Sequence, residues 1–158
     1  MTDISVIAVG NEKEEYYRKA IDEYSKRIAA YARVTVREIK EKRLPESPSA
    51  GEIERALEEE GREILASLPK NCTLCALCVE GKELSSPEFA RFMENSAQKG
   101  ALAFVIGSSH GLAQSVKDAA SARISFSRMT FPHRLMRVIL FEQLYRGLSI
   151  VNNGKYHK

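Results

Sequence analysis

The stretch Ala101–Leu148 reads ALAFVIGSSHGLAQSVKDAASARISFSRMTFPHRLMRVILFEQLYRGL. It sets an apolar run, a two-glycine loop bearing a histidine, and a basic, largely apolar helix one after another. Ala101–Ile106 is short, wholly apolar and bounded by Gly100 and Gly107, as expected of a strand covered on both faces. In open α/β sheets, ligands gather at the carboxyl ends of strands, where the chain leaves a buried edge and can present backbone amides. Gly107 stands at such an end. The missing side chains of Gly107 and Gly111 let the backbone approach a ligand and adopt positive φ. The loop Gly107-Ser108-Ser109-His110-Gly111 matches neither a P-loop nor G-x-G-x-x-G, so it gives little support to phosphate or dinucleotide binding. A short helix (112–120) and a short strand (123–126) follow, then the loop 127–131, and Pro132 starts the last helix. In that helix Leu135, Met136, Val138, Ile139, Leu140, Phe141, Leu144, Tyr145 and Leu148 cover more than one stripe. It is therefore expected to be buried on two sides, by its own sheet and by a second copy of the chain; the alternative is a helix central to a larger monomeric core.

Upstream, the same alternation of strand and helix recurs. Ile4–Val9 is a β-branched apolar run closed by Gly10, and from Glu12 the period becomes helical, with Tyr17, Ile21, Tyr24, Ile28 and Tyr31 along one stripe. That spacing assigns the tyrosines to core packing rather than to base stacking. Val34, Val36 and Ile39 lie in a second strand, which runs into Lys40–Ser49, a basic, proline-bearing segment expected to be a mobile, solvated loop; contact of Lys40, Lys42 and Arg43 with phosphate is the alternative. A second helix spans 51–67, with Ile53, Leu57, Ile64 and Leu68 inward and acidic residues outward; Gly61 should weaken it by ~1 kcal/mol. Thr73–Val79 reads as a third strand ended by a Glu80-Gly81-Lys82 turn. Ser85 with Glu88 forms a capping box, or Ser86 caps with Pro87 in the first position, and Phe89, Phe92 and Met93 face inward until Gly100. The series predicts a single α/β domain over residues 1–158, with a largely parallel sheet flanked by helices.

Cys72, Cys75 and Cys78 carry the C-x-x-C spacing by which two thiolates reach one zinc. A strand alternates faces, however, so Cys75 points away from Cys72 and Cys78, and no second Cys/His pair stands elsewhere. These cysteines are read as small buried hydrophobes, with no metal expected.

At 158 residues and 44% hydrophobic, the chain suits one domain. No apolar run approaches a membrane span and the N-terminal residues lack signal-peptide features, so a soluble, cytoplasmic protein is expected. The net charge of +3 excludes little, but its distribution is uneven. Residues 121–158 hold seven Lys and Arg against the single acid Glu142.

The combination FVIG-x-x-x-GL, then S-x-x-TFPH-x-LMRV-x-L-x-EQLYR, and the terminal Lys155-Tyr156-His157-Lys158 resembles the bacterial large-subunit rRNA pseudouridine N3-methyltransferases of the SPOUT superfamily. The likeness runs from Ala8-Val9-Gly10 to the last residue; the TFPHRLMRV run and the terminal YHK carry it. It implies a homodimer with a deep C-terminal trefoil knot that binds S-adenosylmethionine. It also implies cofactor contacts at Leu77, Gly107, Phe126, Ser127, Arg128, Met129, Thr130 and Phe131. The implied substrate is pseudouridine-1915 of 23S rRNA, methylated at N3 on the assembled ribosome. One departure is visible: Ser108 stands where the family carries a second glycine.

An imide-like N3 attacks only when deprotonated, and a base titrating near neutrality suits that task. His133, beside the cofactor loop, and His157, in the tail, are the candidates. His133 could instead cap its helix, and His157 with Tyr156 could order the tail or contact a flipped base. Arg134, Arg137, Lys155 and Lys158 are candidates to hold phosphates, and Tyr156 to contact RNA. A ribosome-binding factor of the same fold without methyl transfer is the alternative function, for which Ser108 is the sequence hint.

Overall fold

The computed structural model describes all 158 residues. Strand and helix alternate throughout: β1 (Thr2–Val9), α1 (Glu15–Ile28), β2 (Ala32–Ile39), α2 (Ala50–Ala66), β3 (Cys72–Glu83), α3 (Ser86–Ala97), β4 (Ala101–Ile106), α4 (Gln114–Ala119), β5 (Ala122–Ser125) and α5 (His133–Val151). The five strands form one sheet in the order β2-β1-β4-β3-β5. Every pairing is parallel, because each strand is followed by a helix that carries the chain back to the same edge.

The two-residue period of the strands sorts their side chains into two cores. Ile4, Val6 and Ala8 of β1 join Leu102, Phe104 and Ile106 of β4 on one face, under Ile28 of α1, Phe89 and Met93 of α3, and Leu140, Phe141 and Leu144 of α5. Ile7, Val9, Ala103 and Val105 point the other way, under Ile64 of α2 and Val116 of α4. The central strands are apolar at successive positions because both faces are covered. Phe104 is fully buried between β4's neighbours and α3, so Phe104→Ala would cost about 3–5 kcal/mol.

Two helices, α2 and α3, begin with capping boxes. Ser85 Oγ accepts from the Glu88 N–H while the Glu88 carboxylate accepts from the Ser85 N–H, with Pro87 in the first turn; this settles the choice between Ser85 and Ser86. Ser49 and Glu52 do the same for α2, a signal present in the sequence but unread. No helix is long and apolar enough to cross a membrane.

Four expectations are corrected. β3 does not end in a turn at Glu80-Gly81-Lys82 but runs on to Glu83: both Leu77 and Lys82 pair with Ile124, so Cys78–Gly81 form a bulge. Gly81 permits it, since a Cβ there would lie 2.7 Å from the Ile124 backbone. Glu60 of α2 is not outward but buried at 3% exposure, where its carboxylate accepts from the Lys42 N–H at 2.8 Å and ties down the start of the 40–49 loop. Gly61 is no simple weak point: a Cβ would press on Ala113, Val116 and Ser115, so the glycine lets α4 approach α2. Cys75 is buried on the α1/α3/α5 side as expected, but Cys72 and Cys78 are only half-buried.

Candidate functional site

The carboxyl ends of β3, β4 and β5 and the start of α5 enclose a cavity of about 530 Å³, within the size range of cofactor sites. Five segments build it: the end of β3 with its bulge, the loop after β4, Lys117 of α4, the end of β5 with the loop that follows it, and Pro132, His133 and Met136 at the start of α5. Of the residues expected to hold a cofactor, Leu77, Gly107, Phe126, Ser127, Met129, Thr130 and Phe131 line this cavity together. Arg128 does not; its side chain is exposed, with Nε 3.6 Å from Glu83.

Local hydrogen bonds hold these loops open. Ser125 Oγ–H donates to the Ser127 carbonyl at 2.9 Å, and Ser127 Oγ accepts from the Met129 N–H at 3.0 Å. In the other loop the Gly111 N–H donates to the Ser108 carbonyl at 2.9 Å, closing a turn in which Gly111 has φ +92°, a conformation that favours glycine. Gly107 was expected to share that freedom and to leave room for a ligand. Instead its φ is not positive, and a Cβ would strike the Gly111 carbonyl, so the loop itself occupies the space. Ser108 fits this turn, its Oγ accepting from the His110 N–H at 3.3 Å.

At the opposite margin, His133 turns Nε2 inward over Gly10, where it is buried without a partner. A Cβ on Gly10 would lie 3.8 Å from that Nε2 and 3.6 Å from Glu41 Oε2, so imidazole and carboxylate flank one small space. The other ring nitrogen, Nδ1, is neither buried nor bonded within the chain. Burial holds the imidazole below its ordinary value, opposed by Glu41 and Glu12 and reinforced by Arg134 and Arg137. The same corner concentrates buried polar atoms lacking partners: both carboxylate oxygens of Glu12, His133 Nε2, and the Nε atoms of Arg134 and Arg137.

Arg137 does not face RNA. It is 2% exposed, donating from Nη1 to Glu38 at 2.7 Å and from Nη2 to the Gly10 carbonyl at 3.0 Å. Its charge is spent on fastening α5 to the ends of β1 and β2, which corrects the expected phosphate contact. Arg134 is half-buried beside it, while Lys155 and Lys158 are exposed.

The tail lies elsewhere. Tyr156 O–H donates to Glu142 at 3.1 Å, Arg146 stacks on the Tyr156 ring at 4.6 Å, and Arg146 Nη1 meets His157 Nδ1 at 3.2 Å. Burial, with Tyr24 and Glu142 nearby, pushes the Tyr156 hydroxyl up to about 12, so it stays a donor. Within one chain, then, Tyr156 and His157 stand apart from the cavity that His133 borders.

The sequence reading missed several lining residues. Cys78, Val79 and Glu80 reach the cavity through the β3 bulge, and Lys117 through α4; Ser108, Ser109 and His110 join them. Gly81 was the available signal, since a glycine inside a strand pattern marks a bulge as readily as a turn. No group of three or more His, Cys, Asp or Glu side chains is arranged to hold a metal. The cavity offers apolar walls from Leu77, Ile124, Phe126 and Met129, hydroxyls from Ser127 and Thr130, and one ion pair, Glu80 with Lys117. Such a lining suits a small molecule with both apolar and charged parts.

Residues 2–157 match the family described as "Predicted SPOUT methyltransferase". The chain is similar to the ribosomal RNA large subunit methyltransferases H of Carboxydothermus hydrogenoformans and of Clostridioides difficile strain 630, each 43% identical over 158 residues and 99% of both chains. A namesake from Listeria monocytogenes is 42% identical over the same extent. The chain belongs to the SPOUT methyltransferase family.

Proposed function

We propose that this protein uses S-adenosylmethionine to methylate N3 of pseudouridine-1915 in 23S rRNA on the assembled ribosome, in the cytoplasm, as a homodimer. The observation that carries the reading is the convergence of Leu77, Gly107 and the 126–131 loop on one cavity with His133 at its margin. The names of the relatives support the rRNA substrate.

S-adenosylmethionine, when bound, supplies a methyl group already activated on its sulfonium, so the chain's task is alignment and proton removal. Leu77, Phe126 and Phe131 exclude water, while Ser127, Thr130 and the backbone at Gly107 orient the ligand. His133 Nδ1 takes the proton from N3. The carboxylates of Glu41 and Glu12 favour a proton on Nε2, which leaves Nδ1 bare, and a depressed imidazole is neutral at pH 7. Arg134, Lys155 and Lys158 hold phosphates.

Two features favour a dimer. Leu135, Met136, Val138 and Ile139 of α5 are only half-covered, and the tail cannot meet the cavity of its own chain, so Tyr156 and His157 reach the substrate from the second copy. A C-terminal knot fits the path of the chain: β5 lies at the sheet edge beyond β3, yet α5 packs back against α1, α3 and β4. The segment 126–132 therefore returns across the ends of intervening strands.

The test is incubation of the purified protein with methyl-labelled S-adenosylmethionine and ribosomes from cells lacking the modification. Label at a single nucleotide of 23S rRNA is expected; ribosome binding without label would leave a binding factor in its place.

A further inference from the structure

The cavity has two chemically different ends. The strand order sets β1 and β3 on opposite sides of β4, so His133, over Gly10 at the end of β1, and Glu80, on the β3 bulge, stand about two strand spacings apart, roughly 10 Å. Among the lining side chains only Glu80 and Lys117 belong to Asp, Glu, Lys or Arg, and they are paired with each other. Both are firmly mounted. Gly81 packs the bulge against the β5 backbone, and Arg123 of β5 donates to the Lys117 carbonyl at 3.1 Å and to Asp118 at 3.2 Å, clamping the end of α4.

We propose that the Glu80–Lys117 pair receives the amino-acid end of the methyl donor, Lys117 Nζ binding its carboxylate and the Glu80 carboxylate binding its α-ammonium. The inference rests on the reading of this cavity as the S-adenosylmethionine site. A zwitterion entering a largely apolar cavity loses hydration at both charges and needs one partner of each sign at close range. The ion pair presents that pattern, and nothing else in the lining does. Lys117 holds the Glu80 carboxyl below the usual carboxylate range, which keeps it anionic for this role. The remaining walls are left to the adenosine, and the His133 end to the nucleobase.

Calorimetry on the full chain tests this with S-adenosylhomocysteine, which carries the amino-acid group, and 5′-methylthioadenosine, which lacks it. Lys117→Met and Glu80→Gln should each weaken S-adenosylhomocysteine about 10-fold and leave methylthioadenosine within about twofold. Unchanged S-adenosylhomocysteine affinity in the variants, or equal weakening of both ligands, overturns the inference, the second outcome assigning Glu80 to the ribose instead. Should Lys117→Met unfold, Glu80→Gln on the more exposed side of the pair decides alone. Wild-type protein that binds neither ligand would overturn the reading of the cavity, and this inference with it.

Discussion

His133 and His157 sit at opposite ends of α5: His133 is its first residue, and His157 is held by Arg146 near its far end, about 20 Å away along the helix. One chain cannot bring both rings to one nucleobase. If both act, their sites are composite, and a mixed dimer of His133→Ala with His157→Ala should recover up to about half of the wild-type methylation, one intact site in two. Each variant alone should be weak. Mixtures no more active than the separate variants would show that His157 only orders the tail.

The acid behaviour of His133 is set by burial. Its folded value lies below the ordinary 6.5, so as pH falls through about 6.5 the unfolded chain takes up a proton that the folded protein resists. The contribution to stability is therefore present above 6.5 and declines below it. Urea unfolding of His133→Asn should show a shallower loss between about pH 6.5 and 5 than wild type; an identical slope would place the imidazole in solvent.

Glu12 is 8% exposed and neither carboxylate oxygen has a partner, while its N–H donates to Glu38 at 2.8 Å. Removing the charge while keeping volume should help. Glu12→Leu should raise unfolding stability by about 1–3 kcal/mol, the desolvation cost of an unsatisfied buried group. A lowered urea midpoint would mean that the carboxylate finds a partner in solution.

Gly107 is constrained by its own loop. In Gly107→Ala the new methyl meets the Gly111 carbonyl, which has to move, at a cost of about 1–3 kcal/mol in stability. Thermal unfolding with and without S-adenosylhomocysteine should show both a lower midpoint and a smaller ligand-induced rise. Wild-type stability with lost binding would instead mean that the methyl enters the ligand's space.

The strands and helices were legible because both signals are local: apolar runs of Ile4–Val9 and Ala101–Ile106, and helical spacing from Tyr17 to Ile28. The 126–131 loop, which we propose holds the cofactor, drew notice only through the family resemblance of the TFPHRLMRV run. Other features depend on partners distant in sequence. Arg137 reads as one more cation in a basic helix until Glu38 and the Gly10 carbonyl surround it. Glu60 reads as one acid among several until the Lys42 N–H meets it, and Glu80 as a turn residue until β5 packs against Gly81.

The fastening of α5 has a consequence for synthesis. Arg137 joins residues 99 and 127 positions earlier in the chain, and β4 and β5, which wall the cavity, are also made late. During translation the first three strands and their helices emerge well before the residues that close the corner at Gly10 and His133. Until then the apolar face that α5 covers stays open, which exposes the nascent chain to premature association. Assembly of the cavity is therefore a late event, timed by the emergence of the last helix from the ribosome that makes it.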